Sequence, residues 1–215
     1  MNTTIDITLS FPQIQYLCQA DSRLAVLIQK IGPISYALDE DPFCFLVETI
    51  INQMVSKKVG DVFSARLNAK CGGGITVDSI SGLTWEDLRA VGLSGSKAKY
   101  ILNLAEAVAA SRIDFNRFSS MTDNEIIESL TSLSGIGVWS AKMYLTFVLG
   151  REDILPYEDM AFMQSYNWLY EAKSDKKADI IRRCGPWKPF SSYAARYLYR
   201  ALDTGLTKQP FGDLV

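Results

Sequence analysis

The sequence predicts an all-α protein of about ten helices, on three observations. Apolar residues recur at the spacing of a helix face in several windows, stretches that alternate apolar and polar residues are almost absent, and helix start and stop residues bracket the periodic windows. The 215 residues suit one large domain or two intimate subdomains. Hydrophobic residues at 48% and charged residues at 21% are ordinary globular usage, so the chain can bury a real core. No apolar run approaches the roughly 18 residues that span a bilayer, and Met1-Asn2-Thr3-Thr4-Ile5-Asp6 lacks the basic start and apolar stretch of a signal peptide. The expectation is a soluble, intracellular protein with no membrane partner.

Helical segments begin by residue 20. Phe43, Leu46, Val47, Ile50 and Ile51 follow the i, i+3, i+4, i+7, i+8 spacing of a buried face, and Pro42 suits a first turn, which places a core helix near 42–53. Cys71-Gly72-Gly73-Gly74 reads as a loop. Ile101, Leu104, Ala105 and Val108 form the next stripe, and Thr122-Asp123-Asn124-Glu125 is a capping box that opens another helix. Further stripes are Ser140, Met143, Tyr144, Phe147, Val148 and Ala194, Tyr197, Leu198, Ala201, with Gly150 and Gly205 where C-terminal caps belong and a long loop over 151–157. An echo at an offset of 43 aligns Gly92, Ala98, Lys99 and Leu102 with Gly135, Ala141, Lys142 and Leu145, a glycine turn before a helix in both copies.

The formal charge is −2, unlike a nucleic-acid binder taken whole, yet residues 171–200 hold eight basic side chains (Lys173, Lys176, Lys177, Arg182, Arg183, Lys188, Arg196, Arg200) against three acids. One basic face on a polarised molecule is the functional reading, and a solvated helix face the plain one. The four cysteines match no CxxC or zinc-finger spacing and read as buried free thiols. With no histidine in the chain, Ser-His-Asp and Cys-His catalysis are excluded, and chemistry falls to carboxylates, hydroxyls, lysines or backbone groups.

The stretch from Thr122 to Gly150 reads as capped helix, Leu133-Ser134-Gly135-Ile136-Gly137, then a helix from Val138. The glycines let the backbone turn tightly and approach another surface, while the helix start presents amide donors and the positive end of its dipole. Such a turn can hold a phosphate without a basic side chain. A plain αα-hairpin is the simpler reading of Gly-Ile-Gly, and a dinucleotide fingerprint fails because no third glycine follows and no strand precedes.

The wider segment Leu-Ser-Gly-Ile-Gly-Val-Trp-Ser-Ala-Lys (133–142) resembles the helix-hairpin-helix of base-excision DNA glycosylases, the HhH-GPD superfamily. Ile50 to Lys58, Gly92 to Ile101 and Trp187 to Ala195 resemble, in order, three further segments of that family, the last that of its alkylated-base branch, so the likeness runs from about residue 20 to 203. It implies two helical subdomains with the active-site cleft between them, one formed by about 1–35 plus 155–215 and the other by about 36–154, with the hairpin at 122–150. It also implies a DNA-3-methyladenine glycosylase II-like enzyme that flips a damaged, alkylated purine from duplex DNA and hydrolyses the N-glycosidic bond.

Within that resemblance Asp159, which follows Pro156-Tyr157-Glu158 and lies 22 residues after Gly137, is the catalytic carboxylate, with Glu158 second. On the residues alone Asp159 is a helix N-cap, and the two roles are compatible. Trp139 stands where strand-cutting members carry a lysine, which implies a monofunctional enzyme that leaves an abasic site. Met54 matches the wedge that fills the space of the flipped base, although core packing explains it as well. The family pattern further implies DNA contacts at Gln53, Met54, Ser56, Gly135, Gly137, Val138, Trp139 and Ser140, and a base pocket at Trp139, Met143, Tyr144, Met160 and Trp187. Trp85 and Trp168 are assigned to the core.

Met143, Met160 and Ser191 depart from family aromatics and an arginine, which points to a narrower or differently tuned pocket. No cofactor is expected; a monovalent cation on the carbonyls of Thr131, Leu133 and Ile136 is implied by resemblance only. The implied partner is double-stranded damaged DNA, bound by a monomer in the bacterial nucleoid or a eukaryotic nucleus. A non-catalytic helix-hairpin-helix DNA-binding protein is the alternative.

Overall fold

The computed structural model describes residues 4–172 and 176–214. In chain order β1 (Thr4–Ile7), α1 (Pro12–Ala20), α2 (Ser22–Ile31) and β2 (Ile34–Ala37) come first. Then follow α3 (Pro42–Asn52), α4 (Lys57–Lys70), α5 (Val77–Ser81), α6 (Trp85–Val91), α7 (Gly95–Ala109), α8 (Asp123–Thr131) and α9 (Val138–Phe147). The last are α10 (Met160–Tyr170), α11 (Lys177–Arg183) and α12 (Ser191–Asp203). The fold is all-α apart from β1 and β2, an antiparallel pair in the register Thr4↔Ala37 to Ile7↔Ile34. The chain divides into two compact units, Met1–Leu38 with Leu145–Val215, and Asp39–Tyr144.

The discontinuous unit is built on α12, which packs on α10 and α2. Ala194, Ala195 and Ala201 allow close approach, and Tyr193, Tyr197 and Leu198 fill the space beside Leu24, Leu27, Ile28, Phe162 and Tyr166. A polar hub crosses this core. Asp21 caps α2, its Oδ1 accepting from the amides of Arg23 and Leu24 at 3.0 Å each. Its Oδ2 accepts from the indole Nε1 of Trp187 at 2.9 Å and from the Tyr170 hydroxyl. Two buried donors and one helix start are thus satisfied by a single carboxylate.

In the continuous unit α3 is apolar on most of its surface, with Phe43, Leu46, Val47, Ile50 and Ile51 buried. It packs against α4 and α7, and α7 also packs on α5 and α6. The capping box before α8 forms as its sequence predicts: the Glu125 amide donates to the Thr122 hydroxyl and the Glu125 carboxylate accepts from the Thr122 amide at 2.7 Å. The Thr122 hydroxyl, which donates to the same carboxylate at 2.7 Å, and then the Thr122 amide hold the Glu125 carboxyl below the usual range. The echo between residues 92 and 135 has a physical form. Both glycines are left-handed (φ 112 and 93), and a Cβ on either would strike a ring, Phe63 at 2.6 Å or Tyr100 at 2.3 Å.

Several expectations change. Lys173 and Asp175 of the basic stretch lie outside the described residues. Arg196 is buried, its guanidinium 3.4 Å from the Tyr36 ring centroid and donating to the Thr146 carbonyl at 2.7 Å, so it adds nothing to a surface charge. Arg182 pairs with Asp179 and Lys188 with Asp153, which spends more of that run inside its own unit. Trp85 is 44% exposed, because its Nε1 reaches the Gly95 carbonyl and its ring lies under Arg89 at the edge of the unit. Of the four free thiols only Cys184 is buried. No described helix is long and apolar enough to cross a membrane.

Candidate functional site

The hairpin is the turn from Ser132 to Gly137 between α8 and α9. Ser132 caps the end of α8, the Ile136 amide closes the turn on the Leu133 carbonyl at 3.1 Å, and Gly137 accepts from the Ala141 amide at 3.0 Å, opening α9. The two glycines do different work. Gly135 is required by its backbone angle and by the Tyr100 ring, whereas a Cβ on Gly137 would meet nothing within 4 Å. Gly137 therefore leaves the approach to the α9 start open, at a place where a helix offers amide donors and a positive dipole end. Val138, the first residue of α9, is 43% exposed, and Ser140 is turned inward and buried.

Beside the hairpin, and in the same unit, lies the bend between α3 and α4. Gln53 donates from Nε2 to the Gly135 carbonyl at 2.8 Å, which ties the bend to the hairpin turn. Met54 has a left-handed backbone (φ 55), and its side chain is fully exposed. A left-handed methionine is uncommon, and an exposed one has no packing to explain it. The alternative of core packing for Met54 is thus removed. Ser56 caps α4, accepting from the Val59 amide at 3.4 Å, and Lys97 Nζ donates to the carbonyls of Ile51 at 2.8 Å and Gln53 at 2.6 Å.

In the other unit Asp159 is the N-cap of α10, its Oδ1 accepting from the Phe162 amide at 2.8 Å. It is half-buried and adjoins Met160, which is 86% exposed. The Tyr199 phenol holds its proton far above the usual tyrosine range, first because it is desolvated and then because the Asp159 charge lies close by. Glu158 is also half-buried, and its charge acts on Lys177.

The expected pocket walls are not all on a surface. Tyr144 and Trp187 are fully buried and Met143 nearly so. Tyr144 sits among Phe45, Phe115 and Phe118, and Trp187 is fixed by Asp21 and stacked beside Tyr170. Each is buried, for the ordinary reason that large side chains in small helical units fill cores. Trp139, half-buried on the first turn of α9, is the aromatic placed at the hairpin itself. Among the described residues no cluster of three or more carboxylate, thiol or imidazole groups could hold a metal ion. The carbonyls of Thr131, Leu133 and Ile136 are neutral donors suited to a singly charged ion, with that of Leu133 already accepting the Ile136 amide.

Residues 47–189 match the HhH-GPD superfamily of base excision DNA repair proteins. The chain belongs to that superfamily. Among similar proteins, the DNA-3-methyladenine glycosylase 1 of Schizosaccharomyces pombe is 28% identical over 182 residues, which cover 83% of this chain and 80% of that protein. The DNA-3-methyladenine glycosidase of Bacillus halodurans has a similar structure, with TM-score 0.86, 29% identity and 96% of each chain covered. A 3-methyladenine DNA glycosylase of the same yeast, solved with abasic DNA, has TM-score 0.80 at 24% identity, covering 88% of this chain and 95% of that one, a likeness of fold.

Within this HhH-GPD chain two residues escaped sequence reasoning. Tyr199 lies in α12 beside its apolar stripe, where its tyrosine neighbours disguise it as core. Lys97 stands in the Gly92 to Ile101 segment quoted for the family likeness, and its distinguishing signal is a lysine one turn after the Ser94 cap whose neighbour Ala98 is buried.

Proposed function

We propose that this chain is a monofunctional DNA glycosylase of the 3-methyladenine type. It flips an alkylated purine out of duplex DNA and hydrolyses its bond to the sugar, leaving an abasic site. The observation that carries the reading is Asp159, a carboxylate fixed at a helix start within a chain of the HhH-GPD superfamily. As the base leaves, positive charge develops on the sugar, and a fixed carboxylate stabilises it and orients the attacking water. An N3- or N7-alkylated purine is cationic and already a good leaving group, so modest assistance suffices.

Strand cleavage by this family's lyase route needs an amine nucleophile at residue 139, and an indole cannot form a Schiff base. The open approach over Gly137 and the start of α9 receives a phosphate of the bound strand, which accounts for DNA binding by a chain of net charge −2. Gln53, Ser56 and Val138 shape that surface, whereas Ser140 is buried beneath it. Met54, left-handed and fully exposed, is the apolar wedge that enters the duplex where the base has been extruded. Trp139 and Met160 are the residues of the expected base pocket with exposed or half-exposed surface. The protein acts as a monomer, inside the cell, with no organic cofactor.

Wild type and Asp159→Asn are to be incubated with duplex DNA treated with a methylating agent, the released bases separated, and the DNA then treated with alkali. Methylated purines released by wild type alone, with breaks only after alkali, support the reading. Asparagine caps helices as well as aspartate, so the variant keeps its fold. Release by both proteins removes Asp159 from the chemistry. Binding without release by either turns the reading to the non-catalytic DNA-binding alternative.

A further inference from the structure

We propose that Lys97 is a positioning residue for the Met54 wedge, holding the bend between α3 and α4 in the left-handed turn that projects the methionine. The inference rests on reading Met54 as the wedge. It adds a residue of another helix, α7, that does not itself reach the DNA-facing tip.

The Met54 side chain is fully exposed, so no packing on the side chain fixes where it points, and its direction is set by the backbone alone. That backbone is held on both sides. Lys97 reaches across from the first turn of α7 and donates to the Ile51 carbonyl in the last turn of α3 and to the Gln53 carbonyl immediately before the bend. These carbonyls belong to the negative end of α3, which favours a cation there. Gln53 in turn donates to the Gly135 carbonyl, and its own position depends on the carbonyl that Lys97 holds. On the far side Gly60 of α4 admits Asn52 so closely that a Cβ would lie 1.8 Å from its Oδ1, and Ser56 caps α4.

An uncommon left-handed methionine needs such over-determination, since that conformation is unfavourable for a residue other than glycine. Partial burial holds the Lys97 ammonium below the usual lysine range. An ion pair for Lys97 is absent among the salt bridges of the described residues. Its charge is directed at backbone carbonyls.

A lysine that merely capped α3 would matter to stability and not to base extrusion. The test is a cycle of wild type, Lys97→Met, Met54→Ala and the double variant, with Lys97→Arg and Lys97→Gln alongside. Each is bound to a duplex carrying an abasic-site analogue opposite 2-aminopurine, whose fluorescence reports unstacking, and each is assayed for single-turnover release from methylated duplex DNA. Thermal melts identify any variant that fails to fold; if Lys97→Met is one, Lys97→Gln takes its place in the cycle.

Lys97→Met and Met54→Ala should each lower duplex base release about tenfold and reduce the fluorescence gain. The double variant should be no worse than Met54→Ala, since residues acting as one unit are not additive. Lys97→Arg should restore part of the loss. Equal activity of Lys97→Met and wild type, with Met54→Ala impaired, overturns the proposal and leaves the wedge reading standing. So does a double variant about a hundredfold down, which makes the two residues independent. An unimpaired Met54→Ala sinks the wedge reading and this proposal with it.

Discussion

Replacing Asp21 by alanine removes four hydrogen bonds at one carboxylate. Two of them cap α2 through the amides of Arg23 and Leu24, and a lost cap costs about 1 kcal/mol. The other two satisfy the Trp187 indole, whose residue has no exposed surface, and the Tyr170 hydroxyl. Each buried donor left without a partner costs about 1–3 kcal/mol. The sum is about 3–7 kcal/mol, a large share of the roughly 5–15 kcal/mol by which domains are stable. Asp21→Asn should be milder, because the amide oxygen can still cap α2 while its NH2 group confronts the indole N–H, for a loss of about 1–3 kcal/mol.

Urea unfolding followed by circular dichroism reads both values from the shift in midpoint at constant slope. Tyr170 closes the far end of the helix that begins at Asp159, so base release per folded molecule should stay near wild type if only stability is affected. An alanine variant less than about 1 kcal/mol weaker than wild type would refute the account of Asp21 as a hub.

Other consequences separate folding from function. Gly135→Ala places a Cβ against the Tyr100 ring at a left-handed residue, so it should cost about 1–3 kcal/mol in a thermal or urea melt. Gly137→Ala meets open space and should melt like wild type, yet weaken binding to abasic-site duplex in a titration, since the added methyl stands on the approach to α9. Tyr144→Phe removes a buried hydroxyl that has no hydrogen-bond partner among the described residues and should be neutral or stabilising in the same melts; a loss above about 1 kcal/mol would reveal a bond to that oxygen. The Glu125 carboxyl is held below its ordinary range by Thr122, so the capping box contributes fully above the unfolded value and is lost as pH falls through the lower folded one. Glu125→Gln should therefore flatten the acid limb of a stability profile measured from pH 6 down to about pH 3.

The hairpin was legible because its chemistry is local: a capping box, a glycine in a left-handed turn and a helix start follow one another within thirty residues. Asp159 was legible as a cap for the same reason, one residue before an apolar helix. The β ribbon was not, since Thr4-Ile5-Asp6-Ile7 is too short a run for alternation to stand out. Trp187 read as a pocket wall because nothing near it in sequence announces Asp21, its partner 166 residues away. Arg196 read as surface charge because a cation on a helix stripe shows no sign of the Tyr36 ring that shelters it. Met54 matched the wedge by position, but only the backbone angle distinguishes an exposed left-handed residue from one more apolar side chain after a core helix.

The interrupted unit constrains the order in which a growing polypeptide can acquire structure. Residues 39 to 144 emerge as one uninterrupted stretch whose helices find their partners within it. The first 38 residues have no such option. Ile14, Leu17, Leu24 and Leu27 share a core with Phe162, Tyr166, Tyr197 and Leu198, which are made last. During translation α1 and α2 therefore wait with apolar faces uncovered while the intervening unit collapses. A message or chain broken after Tyr144 would yield one intact unit carrying an adhesive leader, the sort of product that chaperones retain and proteases trim.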